Sequence, residues 1–142
     1  MTKQETPCLA HHIDHTAIAV SNIEDSLSMY VGLFGVVPGP IEEVPDQAVR
    51  ATMIQIGTTQ IELIEPTDPD GAIARFIERR GETFHHICFQ VDDLKASLET
   101  FADQGVRLID TVPRKGLAGM IAFLHPSSTR GVLIELVDRS TV

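Results

Sequence analysis

The 142-residue sequence has no tryptophan, one tyrosine, two cysteines, and only 11 lysines and arginines against 20 acidic residues. The shortage of basic charge excludes a reader of phosphate backbones. A net charge of −9 repels a polyanion, and nucleic-acid binding needs Lys and Arg gathered on one face. A small anionic ligand needs only one local arginine cluster, so that class stays open. Cys8 and Cys88 lack CxxC spacing, which excludes a zinc knuckle and a disulfide framework. Cys88 lies in an apolar segment and reads as a small core residue. No apolar run reaches the roughly 18 residues that a membrane span needs. The opening MTKQETPCLA has neither the basic start nor the apolar centre of a signal peptide. These absences predict a cytoplasmic chain with no nucleic-acid and no membrane partner.

What is present is a normal apolar content of 43%, enough for a buried core in one domain. Residues 1–10 read as a loose tail. Residues 13–20 alternate as a strand. Ser21 and Glu24 have capping-box spacing ahead of a helix whose inner face is Ile23, Leu27, Tyr30 and Val31, ended by Gly35. A weak strand over 36–43 precedes a hairpin, 49–56 and 60–65, turned at Gly57-Thr58. PTDPDG and a short helix over 72–80, closed by Gly81, form a connector. The same order then returns: a strand over 86–91, a helix opened by Asp92-Asp93 and carrying Leu94, Leu98 and Phe101, a strand over 107–110, and a hairpin from MIAFLHP and GVLIELVD.

Set 71 residues apart, His15 meets His86, Val20 meets Val91, Ile23 meets Leu94 and Leu27 meets Leu98. Set 73 apart, QIELI (60–64) meets LIELV (133–137). An internal duplication explains both offsets with small gaps. The single domain, 1–142, then divides into a β-α-β-β-β module over 11–66, a helical connector over 67–83 and a second module over 84–138.

The duplication marks one histidine and one glutamate per half: His15 with Glu62, and His86 with Glu135. Taken singly, each has a plain reading, a strand-end imidazole or a solvent-facing carboxylate. Exposure does not require their matched recurrence. If first and last strands of each module are neighbours, the four side chains converge. Two neutral imidazoles and two carboxylates balance a divalent cation and suit Co²⁺, Mn²⁺, Ni²⁺ or Zn²⁺, with positions left for substrate. The other histidines rank lower. His11 and His12 precede the strand, His85 points to the sheet face opposite His86, and His125 sits in a turn before Pro126.

IDHTAIAV, IELIEP, GETFHHICFQVDD, GVRLID, AFLHP and GVLIEL, in this order from about Ile13 to Val137, resemble the methylmalonyl-CoA epimerases. That family belongs to the vicinal oxygen chelate superfamily, which includes glyoxalase I. The resemblance implies an α+β vicinal oxygen chelate (glyoxalase-like) fold, with two paired βαβββ modules forming a cupped sheet around one metal, in a homodimer. It implies metal ligands at His15, Glu62, His86 and Glu135, the set the repeat marks independently. It also implies epimerisation of (R)- and (S)-methylmalonyl-CoA at C2 through an enolate.

Two departures stand out. Some family members carry a further glutamate after a PEQG-like turn, where PDQAVRATM places Ala51. The implied bases are then the ligand carboxylates Glu135 and Glu62. The loop RKGLAGM, 114–120, is one residue short and carries Leu117-Ala118. Arg75, Arg79, Arg80, Arg114 and Lys115 are candidates for CoA phosphate contacts, with a solvated helix face as the plainer role for the first three. Two other functions compete: a glyoxalase-type lyase or isomerase acting on a thiol adduct, and a metal-free small-molecule-binding module of the same fold. The intact His-Glu-His-Glu set counts against the second.

Overall fold

The computed structural model describes residues 9–141. Among the described residues the eight strands are β1 (Ala10–Ala19), β2 (Glu42–Val44), β3 (Val49–Ile56), β4 (Thr59–Pro66), β5 (Thr83–Val91), β6 (Arg114–Lys115), β7 (Met120–Leu124) and β8 (Ile134–Asp138). The three α-helices among them are α1 (Ile23–Phe34), α2 (Ala72–Arg80) and α3 (Leu94–Asp103). One mixed sheet, ordered β2-β3-β4-β1-β5-β8-β7-β6, curls into a half-barrel, which is the expected α+β glyoxalase-like architecture. Most of the expected tail, Cys8 included, lies outside the described residues, whereas Ala10 already belongs to β1.

The sheet has an internal two-fold logic. β1 and β5 run antiparallel at its centre, β4 lies parallel to β1, and β8 lies parallel to β5. Along the central pair, His15 faces Cys88 and Ala17 faces His86, a register that maps onto itself when residues 71 apart are exchanged.

Strand alternation decides which face each helix covers. Leu63 of β4 and Ile54 of β3 pack on Ile23 and Leu27 of α1. Leu136 of β8 and Ala122 of β7 pack on Leu94 and Leu98 of α3. Their neighbours in sequence, Glu62, Ile64, Glu135 and Val137, therefore face the hollow of the half-barrel. Helix α2 lies on that inner side, where Ile73, Phe76 and Ile77 meet Ala17, Ala19, Ala51 and Ile64.

Each outer helix starts on a carboxylate from the end of its module's last strand. Ile23 N–H donates to Glu65 Oε1 at 3.1 Å, and Leu94 N–H donates to Asp138 Oδ2 at 3.3 Å. These acids sit where the helix dipole favours negative charge. The N-cap of α1 is Asn22, one residue later than the Ser21 capping box predicts; its Oδ1 accepts from Asp25 N–H at 2.9 Å. Ile23 is fully buried against Ile54 and Leu63, so it must be the first helical residue and the cap falls just before it. Gly35, at φ 65°, ends the helix in the left-handed conformation.

Two expected strands differ. The segment 36–43 contributes only a bridge at Pro38 and then the three-residue β2. The segment 107–110 forms one bridge, Leu108 to Leu124, rather than a strand. There the Asp110 carboxylate accepts Phe123 N–H at 2.8 Å, replacing a main-chain acceptor. The edge position passes to β6, two residues inside the RKGLAGM loop. That loop needs its last glycine: Gly119 has φ 144°, and a Cβ there would lie 2.5 Å from Asp138 O.

Candidate metal and active site

The four marked residues meet in the hollow of the half-barrel. His15 Nε2 lies 3.0 Å from Glu135 Oε1 and 3.5 Å from Glu62 Oε1. His86 Nε2 lies 3.4 Å and 3.6 Å from the same two atoms. Both carboxylates thus reach both imidazoles, whose ring centroids stand 5.6 Å apart. Register explains the convergence, because Glu62 is level with Ala17 on β4 and Glu135 is level with Cys88 on β8. All four residues are at most 8% exposed.

Burial this deep demands partners for polar atoms. Yet His15 Nε2, His86 Nε2 and Glu135 Oε1 make no hydrogen bond among the described residues. Three buried, inward-facing donor atoms left without partners fit a metal cradle. His15, His86 and Glu135 place ligand atoms within 4.8 Å of one another, and Glu62 Oε1 closes the set from the opposite strand. A second grouping, Asp14, His15 and Cys88, is as compact. It is a poorer cradle, because Asp14 is engaged by Arg139 and burial pushes the Cys88 thiol up, so that it stays protonated.

The two carboxylates experience opposite environments. Burial pushes Glu62 up, the charge of Glu135 adds to it, and together they outweigh the lowering by His15 and His86. Burial acts on Glu135 too, but the neighbouring imidazoles of His15 and His86 outweigh it and hold its carboxyl well below the usual range. Burial pulls His15 down, while Asp14, Glu135 and Glu62 together raise it to about 10.

Around the tetrad the gap is lined by Val44, Gln47, Val49, Met53, Leu117 and Ala118, with Ile121 and Val137. Glu62 and Glu135 are its only carboxylates among the described residues. Ala51 shares the inner face of β3 with Val49 and Met53, opposite Ile64, and is sealed under α2. Glu42 and Glu43 line a separate groove of about 560 Å³ with Lys115, which no tetrad residue borders. Next to His86 a cavity of about 310 Å³ brings together Asp46, Gln47, His85, Phe123 and Arg114. Arg79 and Arg80 border an open groove of about 810 Å³ with Phe76, Phe84, His85 and His86. Sequence reading passed over Asp14, Gln47 and Arg139. For Asp14 a signal existed: it is an acid inside an apolar strand, directly before a marked histidine.

His85 departs from expectation. Its ring lies on the same side as His86, with the two Nδ1 atoms 2.8 Å apart, and stacks edge-on against Phe76 of α2 at 4.8 Å. The cause is a bulge in β5 that breaks the alternation assumed from sequence. His125 does hold a turn, accepting Ser127 N–H at 3.0 Å.

Residues 14–123 match the family model described as Glyoxalase/Bleomycin resistance protein/Dioxygenase superfamily. The protein YqjC of Bacillus subtilis is 40% identical over 129 residues, covering 90% of this chain and 92% of that one. The mitochondrial methylmalonyl-CoA epimerase of Dictyostelium discoideum is 35% identical over 130 residues, covering 89% and 78%. Among solved structures, the methylmalonyl-CoA epimerase of Streptomyces coelicolor in complex with 2-nitronate-propionyl-CoA matches with a TM-score of 0.88 at 34% identity, covering 94% of this chain and 97% of that one.

Proposed function

This chain belongs to the Glyoxalase/Bleomycin resistance protein/Dioxygenase superfamily and, within it, to the methylmalonyl-CoA epimerases, and from that membership we propose that it interconverts (R)- and (S)-methylmalonyl-CoA by moving one proton at C2. It is an isomerase of the epimerase class. The observation that carries the reading is the buried meeting of two imidazoles and two carboxylates with unpartnered Nε2 and Oε1 atoms. A metal-free binding module has no need of that set.

His15, Glu62, His86 and Glu135 would hold one divalent ion, with Co²⁺, Mn²⁺, Ni²⁺ and Zn²⁺ as the candidates. When bound, the ion supplies positive charge where the thioester oxygen gains negative charge as C2 is deprotonated. The rest falls to the chain's own side chains. C2 lies between a thioester and a carboxylate, so losing its proton gives a planar enolate with two faces. Inversion requires a group on each face, one taking the proton and one returning it.

We assign these roles to Glu135 and Glu62. The imidazoles keep Glu135 anionic, so its carboxylate accepts the C2 proton. Glu62, once it carries a proton, returns it from the other side. The two arrive from β8 and β4, which flank the central strand pair, and so approach the centre from opposite directions. In the reverse reaction the roles exchange.

The deciding experiment incubates metal-loaded protein with (S)-methylmalonyl-CoA in D₂O. Deuterium at C2 together with appearance of the (R) form is expected. No exchange overturns the reading. Exchange without inversion points instead to one-base chemistry of the glyoxalase type.

For the wider setting, we propose a cytoplasmic homodimer. Among the described residues no helix is long and apolar enough to cross a membrane. The sheet edges, β2 and β6, are three and two residues long and too short to template pairing. The surface that argues for a second copy is instead Leu33 and Phe34 in the last turn of α1 and Val37 just beyond it, 71%, 67% and 81% exposed. Sedimentation as a monomer at micromolar concentration would refute the dimer.

A further inference from the structure

We propose that two symmetry-related β-bulges, one at Asp14 and one at His85, act as positioning devices that fix which nitrogen of His15 and His86 faces the tetrad. The consequence for metal binding rests on the metal reading above; the positioning itself does not.

The observation begins with register. Along the β1–β5 pair, Ile13 is level with Phe89 and His15 with Cys88, which leaves Asp14 as an extra residue on β1. Further on, Ala17 is level with His86 and Ile18 with Phe84, which leaves His85 as an extra residue on β5. The two extra residues are 71 apart, the offset of the internal repeat. A bulge places two successive side chains on one side of the sheet, which regular alternation forbids. In both halves the result is the same contact. Asp14 Oδ2 accepts from His15 Nδ1 at 2.7 Å, and His85 Nδ1 stands 2.8 Å from His86 Nδ1.

An imidazole whose Nδ1 proton is held by a hydrogen bond turns its Nε2 elsewhere, ready for an ion once Nε2 is bare. Here elsewhere is the tetrad, because both Nε2 atoms are the ones left unpartnered there. With His86 as the donor, His85 Nδ1 must be bare, so the His85 proton resides on Nε2.

The two devices are built from different parts. Asp14, 2% exposed, is clamped by the Arg139 guanidinium through Nε to Oδ1 and through Nη2 to Oδ2, the latter at 3.2 Å. Arg139 lies just past β8, so the end of the second module braces a ligand of the first. Among the described residues, His85 is held only by Phe76 and by His86 itself. A charged partner strengthens its imidazole as a donor more than a neutral one does. His15 is therefore the firmly oriented ligand and His86 the more adaptable one.

The test uses ¹⁵N-histidine-labelled full-length protein and long-range ¹H–¹⁵N spectra, with Zn²⁺ titration as a second readout. In ion-free protein, Nδ1 of both His15 and His86 should carry a proton. D14A and H85F should lose the protection of that proton at the adjacent histidine only, and Zn²⁺ affinity should fall about 10–100-fold. D14N and H85Q each keep an acceptor and should retain the tautomer with a smaller loss. They also cover the case in which D14A fails to fold. A bare Nδ1 in the parental protein overturns the proposal, as does unchanged Zn²⁺ affinity in D14A or in H85F. If the parental protein binds no Zn²⁺, the metal reading fails, while the spectra still decide the bulge contacts.

Discussion

At the scale of single residues, Glu62 and Glu135 carry one functional group in two electrostatic settings, and each setting is testable. Glu135→Gln keeps shape and one oxygen donor but removes the basic carboxylate. Turnover should fall about 10²–10⁴-fold, with metal content measured by mass spectrometry largely retained. A variant that loses metal and activity in parallel would assign Glu135 to ligation alone. Glu62→Gln should likewise stop inversion, yet leave one enantiomer's C2 proton exchanging with D₂O through Glu135. His15 supplies the pH dependence. Burial lowers its pKa, but its acidic partners raise it to about 10 in the ion-free protein, so at neutral pH the ring is protonated. An incoming ion must displace that proton. Affinity should therefore rise with pH through the neutral range, and calorimetry in buffers of differing ionisation enthalpy should report about one proton released per ion. Metal uptake without proton release would contradict the environment drawn here for His15. The sign for folding runs the same way: a raised imidazole stabilises the ion-free fold most fully below its unfolded pKa and loses that contribution as pH climbs toward 10.

At the scale of elements, α1 is pinned to the sheet by Glu65. Its Oε1 accepts Ile23 N–H, and its Oε2 accepts from Arg50 Nε at 2.8 Å. The Arg50 contact, ahead of an opposing effect of burial, holds the Glu65 carboxyl below its ordinary range. A depressed carboxylate contributes stability above its unfolded pKa and loses it as pH falls through the folded value. Glu65→Gln should thus cost about 1 kcal/mol at pH 7, read from urea midpoints, and the gap should close below pH 4. A gap of equal size at low pH would assign the effect to packing. The partner acid, Asp138 under α3, stands at the repeat-related position, 73 residues on. Legibility ended where periodicity did. His15, Glu62, His86 and Glu135 could be read because each recurs at a matched offset within a strand-like segment, and that recurrence survives a bulge beside it. Asp14 and His85 could not, since a bulge breaks the period-two rule that assigns a side chain to a face. The 107–110 strand failed for a related reason: Asp110 uses its side chain where a strand uses its carbonyl. The start of α1 moved to Asn22 because burial of Ile23 outweighed capping-box spacing.

At the scale of the whole molecule, the tetrad draws one histidine and one glutamate from each module: β1 and β4 in the first, β5 and β8 in the second. An ion bound there links strands that are far apart in sequence and binds the folded chain alone, so its binding energy adds to global stability. At a free concentration 100 times Kd the added stability is about 2.7 kcal/mol, which for a domain of this size corresponds to a Tm rise of roughly 5–10 °C. Because the modules share one continuous sheet, the rise should appear as a single displaced transition rather than as one half melting late. His15→Ala and His86→Ala test the point from opposite halves. Each removes a ligand and leaves a small cavity, so the ion-free proteins should melt somewhat lower than the parent. Neither should then gain from added Zn²⁺ or Co²⁺ at the concentration that shifts the parent. A metal-dependent rise that survives in His86→Ala but not in His15→Ala would place the ion on the Asp14, His15 and Cys88 grouping instead, and would dissolve the four-residue site.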